Sequence, residues 1–171
     1  EKYNKPGNVY LGLVHRLDRP VGGVMVFAKS SKAASRLSEM IKNHNFSKRY
    51  LAIVHGILEN KKGELKDYLL KKDDGTTIVS KKGIGIEENF SNNYSLIEIE
   101  LLTGRHHQIR VQFSSRNHPL YGDQRYGKKD NHQIALWAYR LEFEHPIKKE
   151  LMTFKYLPEK KEGWNLFDIK I

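Results

Sequence analysis

YSLIEIELLTGRHHQIRVQF, residues 94–113, changes its period halfway along. Up to Leu101 it alternates: Ile97, Ile99 and Leu101 share one side and Glu98 and Glu100 the other, the pattern of a half-buried β-strand. Thr103-Gly104 ends the alternation. Beyond it Ile109 and Phe113, and Gln108 and Gln112, lie four apart, which predicts a helix from about His106 to Arg116. A strand followed at once by a helix fits a chain that mixes the two kinds of element.

The flanking sequence points the same way. GVMVFAK (23–29) follows a glycine and reads as a strand buried on both faces. Ser30 or Ser31 then caps a helix whose apolar face is Ala34, Leu37, Met40 and Ile41, ending near Asn45. KRYLAIVHG (48–56) reads as the next strand. From Glu59 to Asn93, lysine pairs, the DDG of 73–75 and the short alternating segments KDYLLKK and TTIVSKKGIGI predict hairpins and loops on an exposed edge. HPLYGDQRYG (118–127) is a turn-rich loop, and ALWAYRLEFEHP and LMTFKYL are two further strands whose aromatics pack on the same sheet. Strands outnumber helices and short turns join most of them. The expected class is α+β, a mixed, mainly antiparallel β-sheet with a few flanking helices, and the absence of repeats or linkers makes residues 1–171 a single domain.

Charge narrows the partners. Thirty Lys and Arg against 20 Asp and Glu give a net charge of +10 and a pI near 9.6, which suits a polyanion. Lys-Lys pairs starting at Lys61, Lys71, Lys81, Lys128, Lys148 and Lys160 are spread along the chain, so the summed field and not a basic tail carries this expectation. No run approaches the roughly 20 apolar residues of a membrane span, and no secretory leader opens the chain. A cytoplasmic protein without a membrane partner is expected, and the lack of cysteine suits a reducing compartment. The lack of a long exposed apolar stripe predicts a monomer.

Two clusters could carry chemistry. VHRLDRPVGG (14–23) gathers His15, Arg16, Asp18 and Arg19 ahead of a Pro-Gly-Gly turn at the mouth of a strand, a favoured place for a catalytic group. TGRHHQIR (103–110) carries cationic and amide side chains into a helix; Arg105 at such a start opposes the helix dipole, a conflict that an incoming phosphate would relieve. HRLD is not the kinase HRD: Leu17 intervenes, the fifth residue after Asp18 is Gly23 where a kinase has Asn, and no glycine-rich phosphate loop or DFG is present. The eight histidines show no HExxH spacing.

HRLD (15–18), RYLAIVHG (49–56) and LLTGRHHQIR (101–110), followed by HPLYGDQRYG, occur in one order, and together they resemble the RluA-like pseudouridine synthases from about Lys5 to Gly127. The resemblance implies the pseudouridine synthase catalytic domain, an RNA uridine isomerase needing neither a redox cofactor nor a metal. It makes Asp18 the essential carboxylate, Tyr50 the aromatic packed against the target base, and Arg110 the partner that keeps the aspartate ionised. Attack on C1′ and removal of the C2′ proton both remain open to that aspartate. A uridine inside an RNA stack must be flipped out at a cost of a few kcal/mol, which stacking on an aromatic partly offsets. Arg16, Arg19, Lys48, Arg105, His107 and Gln108 are the expected RNA contacts, on ribosomal or transfer RNA.

The chain departs from the pattern in two places. Relatives carry Ser-Gly where Gly22-Gly23 stands, so a hydroxyl near the loop is missing. A strand-bearing segment normally precedes HRLD, yet only 14 residues precede His15, so that segment and any S4 domain are expected to be lacking. A non-catalytic RNA-binding module of the same fold is the alternative.

Overall fold

A computed structural model describes residues 9–58, 62–74, 76–81 and 94–169. In chain order the elements are β1 (Gly12–Leu13), β2 (Gly22–Gly23), β3 (Phe27–Ala28), α1 (Ser31–Lys42), β4 (Phe46–His55), β5 (Tyr68–Lys71), β6 (Thr77–Lys81), β7 (Tyr94–Glu100), α2 (Gln108–Ser114), β8 (Leu136–Glu144) and β9 (Leu151–Lys155). β4 is the spine: it pairs antiparallel with β7 on one edge and with β8 on the other. The far edge of β8 is shared, its first half taken in parallel by β2 and its second half antiparallel by β9. The fold is therefore α+β around a mixed, mostly antiparallel sheet, as the periodicities predict.

Even-numbered side chains of β4 face the two helices and odd-numbered ones the reverse. Phe46 joins Leu37 of α1, Leu141 and Phe143 in one cluster; Tyr50, Ala52 and Val54 join Ile109 of α2, Leu136 and Ala138 in another. Lys48 falls between the two. On the reverse face Leu51, Ile53, Tyr139 and Trp164 form a third cluster. Beyond it Arg49 pairs with Glu98 at 3.2 Å and with Glu100 at 3.3 Å. β4 is thus buried on both faces through its second half, although antiparallel.

An extra residue in β8 makes these layers compatible. Arg49 opposes Arg140 and Tyr50 opposes Ala138, so Tyr139 is a bulge. It moves the helix-facing positions from Leu136 and Ala138 to Leu141 and Phe143, and both Tyr139 and Arg140 turn to the reverse face, where Tyr139 donates to Glu98.

Two local expectations are corrected. The 23–29 segment is not one buried strand: Gly23 has φ +130°, Val24 N–H goes to Ala138 O and Val26 N–H to His15 Nε2, so the ladder breaks between β2 and β3 and Phe27 is exposed. α2 starts at Gln108 and not at His106, because His107 is left-handed with φ 53°, and it stops at Ser114. At Gly22, where the resemblance would place a serine, a Cβ would lie 2.1 Å from the Trp137 ring. α1 begins as expected, with Ser30 Oγ accepting from Ala33 N–H. Within 59–93, β5 and β6 form the anticipated hairpin; Gly75 of DDG and the KGIGI part of TTIVSKKGIGI lie outside the described residues.

Candidate active site

The gap at Lys48 opens into a cavity of about 610 Å³. Its floor is β4, through Lys48 and Tyr50, with Leu101 just after β7; the C-terminal end of α1, the start of α2 and the HRLD loop form its walls. Asp18, Tyr50, Arg110, Arg16, Lys48, Arg105, His107 and Gln108 all line it, so distant motifs meet in one place. Arg19 does not line it; it is exposed at the turn that follows Asp18.

The loop carrying Asp18 is braced on three sides. Its own carbonyl accepts from Val21 N–H at 2.9 Å, and Gln133 Nε2 donates to Pro20 O at 2.6 Å. His15 lies beside Phe46 and accepts from Val26 N–H, so its ring is neutral on that side; burial, then the charge of Lys48, pulls its pKa down to about 4. Burial also lowers the pKa of Lys48.

Asp18 Oδ2 faces Arg110 Nη1 at 3.4 Å and His107 Nε2 at 3.5 Å. Among the described residues no hydrogen bond reaches Oδ1. The resemblance implied that Arg110 serves Asp18, and it does reach it, but its tighter partner is Asp123: Nε to Oδ2 at 2.9 Å and Nη2 to Oδ1 at 2.7 Å. Burial opposes the charge on both, and their forked pairing outweighs it, holding Asp123 below and Arg110 above the ordinary value. Asp123 also accepts from Arg125 N–H and Tyr126 N–H. Tyr126 lies under the Arg110 guanidinium, 5.2 Å from ring centroid to Cζ, and its hydroxyl meets His107 Nδ1 at 2.7 Å.

Tyr50 is both core and cavity. It is only 7% exposed, and burial followed by the charge of Asp18 pushes its pKa up to about 12. Among the described residues its hydroxyl has no hydrogen-bond partner. Gln108 Oε1 accepts from Thr103 Oγ1 and Arg105 N–H, tying down the turn ahead of α2. Arg105 lies ahead of α2, which begins at Gln108. Both nitrogens of His107 are engaged within the protein.

Asp123, Tyr126 and Thr77 contact the candidate site, directly or through one another, and the sequence reading did not single them out. Asp123 had a signal: it is the sole acid between Glu100 and Asp130, in a stretch otherwise basic, and a lone acid there is a candidate buried counter-charge. Among the described residues no group of His, Cys, Asp and Glu is placed to hold a metal, and no helix is long and apolar enough to cross a membrane.

Known proteins resemble this chain in sequence and in fold. The family described as RNA pseudouridylate synthase matches residues 1–115. The chain is 34% identical over 162 residues to the ribosomal large subunit pseudouridine synthase C of Buchnera aphidicola subsp. Acyrthosiphon pisum (strain APS), covering 83% of this chain and 51% of that protein. It is 34% identical over 173 residues to the tRNA pseudouridine synthase C of Vibrio parahaemolyticus serotype O3:K6 (strain RIMD 2210633), covering 83% and 70%. The solved structure of human RNA pseudouridylate synthase domain containing 1 superposes with a TM-score of 0.72 at 22% identity, over 93% of this chain and 72% of that one, and shows the same fold. The chain spans about half the length of the Buchnera relative. With its motifs, its fold and these relatives in agreement, the chain belongs to the RNA pseudouridylate synthase family and to its RluA-like members.

Proposed function

We propose that this chain isomerises uridine in RNA to pseudouridine, with Asp18 as the essential carboxylate. The observation that carries the reading is the asymmetry of that side chain: Oδ2 is held by Arg110 and His107 while Oδ1 is unengaged among the described residues, on a cavity wall. The reaction breaks the N1–C1′ bond, turns the uracil and joins C5 to C1′; the proton lost from C5 balances the one gained at N1. Such a step needs a carboxylate with one oxygen directed at the sugar and a wall for the loosened base. Tyr50, next to Asp18 with a hydroxyl that no described residue takes up, supports that second role. Arg16, Lys48 and Arg105 along the rim, with Arg19 outside it, are the phosphate contacts, and Gln108 shapes the rim.

The relatives' names include both ribosomal large subunit and transfer RNA enzymes, so both RNA classes are candidate substrates for a monomeric, cytoplasmic catalytic domain. The test uses the chain and its Asp18→Asn variant on unmodified ribosomal and transfer RNA transcripts, with pseudouridine quantified after digestion. Product from the parent chain alone is expected. Salt-dependent RNA binding without product from either would overturn the isomerase in favour of a non-catalytic binding module.

A further inference from the structure

We infer that His107 is a positioning residue for Asp18, fixed by the hydroxyl of Tyr126 as the tautomer that carries its proton on Nε2. Its effect on rate rests on the isomerase reading above; the tautomer itself does not.

The assignment follows from counting protons. The backbone N–H of Thr77 donates to the Tyr126 oxygen at 2.9 Å. The phenol then has one proton to give, and the acceptor beside it is His107 Nδ1 at 2.7 Å. A neutral ring whose Nδ1 accepts carries its hydrogen on Nε2, which faces Asp18 Oδ2 at 3.5 Å. The opposite tautomer would set a nitrogen lone pair against a carboxylate oxygen and leave the phenol proton without an acceptor among the described residues. The imidazolium is also disfavoured. Burial comes first, and Arg110, His106 and Arg125 add to it; together they outweigh the pull of Asp18 and bring the pKa of His107 down to about 4. Asp18, Arg110, Arg125, His106 and Tyr126 are the charged and titratable groups that face the ring.

The outermost link belongs to the β5–β6 hairpin. Thr77 is buried, and its hydroxyl meets Nδ1 of His106 at 2.9 Å, whose ring lies 3.6 Å from that of His107. Asp67, just ahead of the hairpin, pairs in a fork with Arg116 after α2, both contacts at 2.8 Å. The hairpin is thereby fastened to the core, and it delivers the backbone donor that fixes Tyr126, hence His107, hence one oxygen of Asp18. His107 acts through Asp18 and has no nitrogen left for RNA.

The test reads the tautomer and the rate separately on the full chain. Long-range proton–nitrogen correlation spectra should show His107 with a protonated Nε2 and a bare Nδ1, unchanged between about pH 6 and 8 where an ordinary histidine titrates. Tyr126→Phe, which keeps the ring under Arg110, should give a tautomer mixture. His107→Leu should lower kcat about 10- to 100-fold with KM for RNA nearly unchanged, and His107→Gln, whose amide restores an N–H toward Asp18, should recover most of that loss. A protonated Nδ1 in the parent chain, a tautomer unmoved in Tyr126→Phe, or equal kcat for His107→Leu and His107→Gln would overturn the inference. Should Tyr126→Phe not fold, the parent spectrum and the His107 pair decide. If the parent chain forms no pseudouridine, the functional reading fails by itself, and the tautomer stands or falls on the spectra alone.

Discussion

Asp123 shows how much one side chain carries here. It is fully buried and neutralises Arg110 through two bonds, one to each oxygen, while two backbone N–H groups also donate to its Oδ1. Asp123→Ala leaves a buried guanidinium whose other carboxylate is a single contact at 3.4 Å. Urea unfolding should register a loss of about 3–5 kcal/mol, the usual cost of breaking such a pair from one side. His15 makes a different kind of prediction. Its folded pKa of about 4 lies below the ordinary 6.5, so its contribution is fully present above pH 6.5. Between 6.5 and 4 the unfolded chain takes up a proton that the folded one refuses, and stability falls as pH falls. One proton gives at most about 1.4 kcal/mol per pH unit, and less for a ring that retains some solvent contact. His15→Gln, able still to accept from Val26, should flatten the acid side of a plot of urea midpoint against pH; an unchanged slope would count against this role.

At the scale of elements, the close packing of β2 on β8 is the most exacting contact. The Trp137 ring occupies the volume that a side chain at residue 22 would need, and its Nε1–H is fixed to Tyr156 O at 2.8 Å. Gly22→Ala should cost about 1–3 kcal/mol through overpacking. In a Trp137→Phe background the same change should cost less, and a double-mutant cycle on melting temperatures measures the difference. α1 is a simpler case: its apolar residues Leu37, Met40 and Ile41 pack against Phe46 and Phe143 where the 3.6-residue period puts them. The Tyr139 bulge could not be anticipated in this way, because a bulge shows only as a mismatch between two paired strands.

Across the whole molecule, the helix-facing side of the sheet is divided into two apolar clusters with Lys48 between them, and the cavity occupies that division. The chain as a whole carries a net charge of +10. RNA affinity should therefore fall linearly on a log-log plot against salt. Lys48→Ala and Arg105→Ala should each reduce that slope by about 0.7, whichever RNA is used, if each neutralises one phosphate. Filter binding across a salt series measures it, and slopes equal to the parent's would remove these two residues from the interface.

The sequence by itself determined the elements whose residues alternate against water: the two-sided β7, the apolar stripe and Ser30 cap of α1, the two strands of the tail, and hence the α+β class. It also placed Asp18, Tyr50 and Arg110 within recognisable motifs. Periodicity reports which side of an element leaves water, and that is a local property. Only the tertiary structure decided which charges meet. Arg110 reaches Asp18 across 92 positions and Thr77 reaches Tyr126 across 49, and nothing in either segment's own pattern names its partner. The same holds for the broken 23–29 segment, whose backbone donors go to Ala138 and His15, and for the late start of α2, where the left-handed turn at His107 goes with its hydrogen bond to Tyr126 and its contact with Asp18. Burial makes an unmatched charge or donor costly, so these pairings are settled by what the fold brings together and not by the residues on either side.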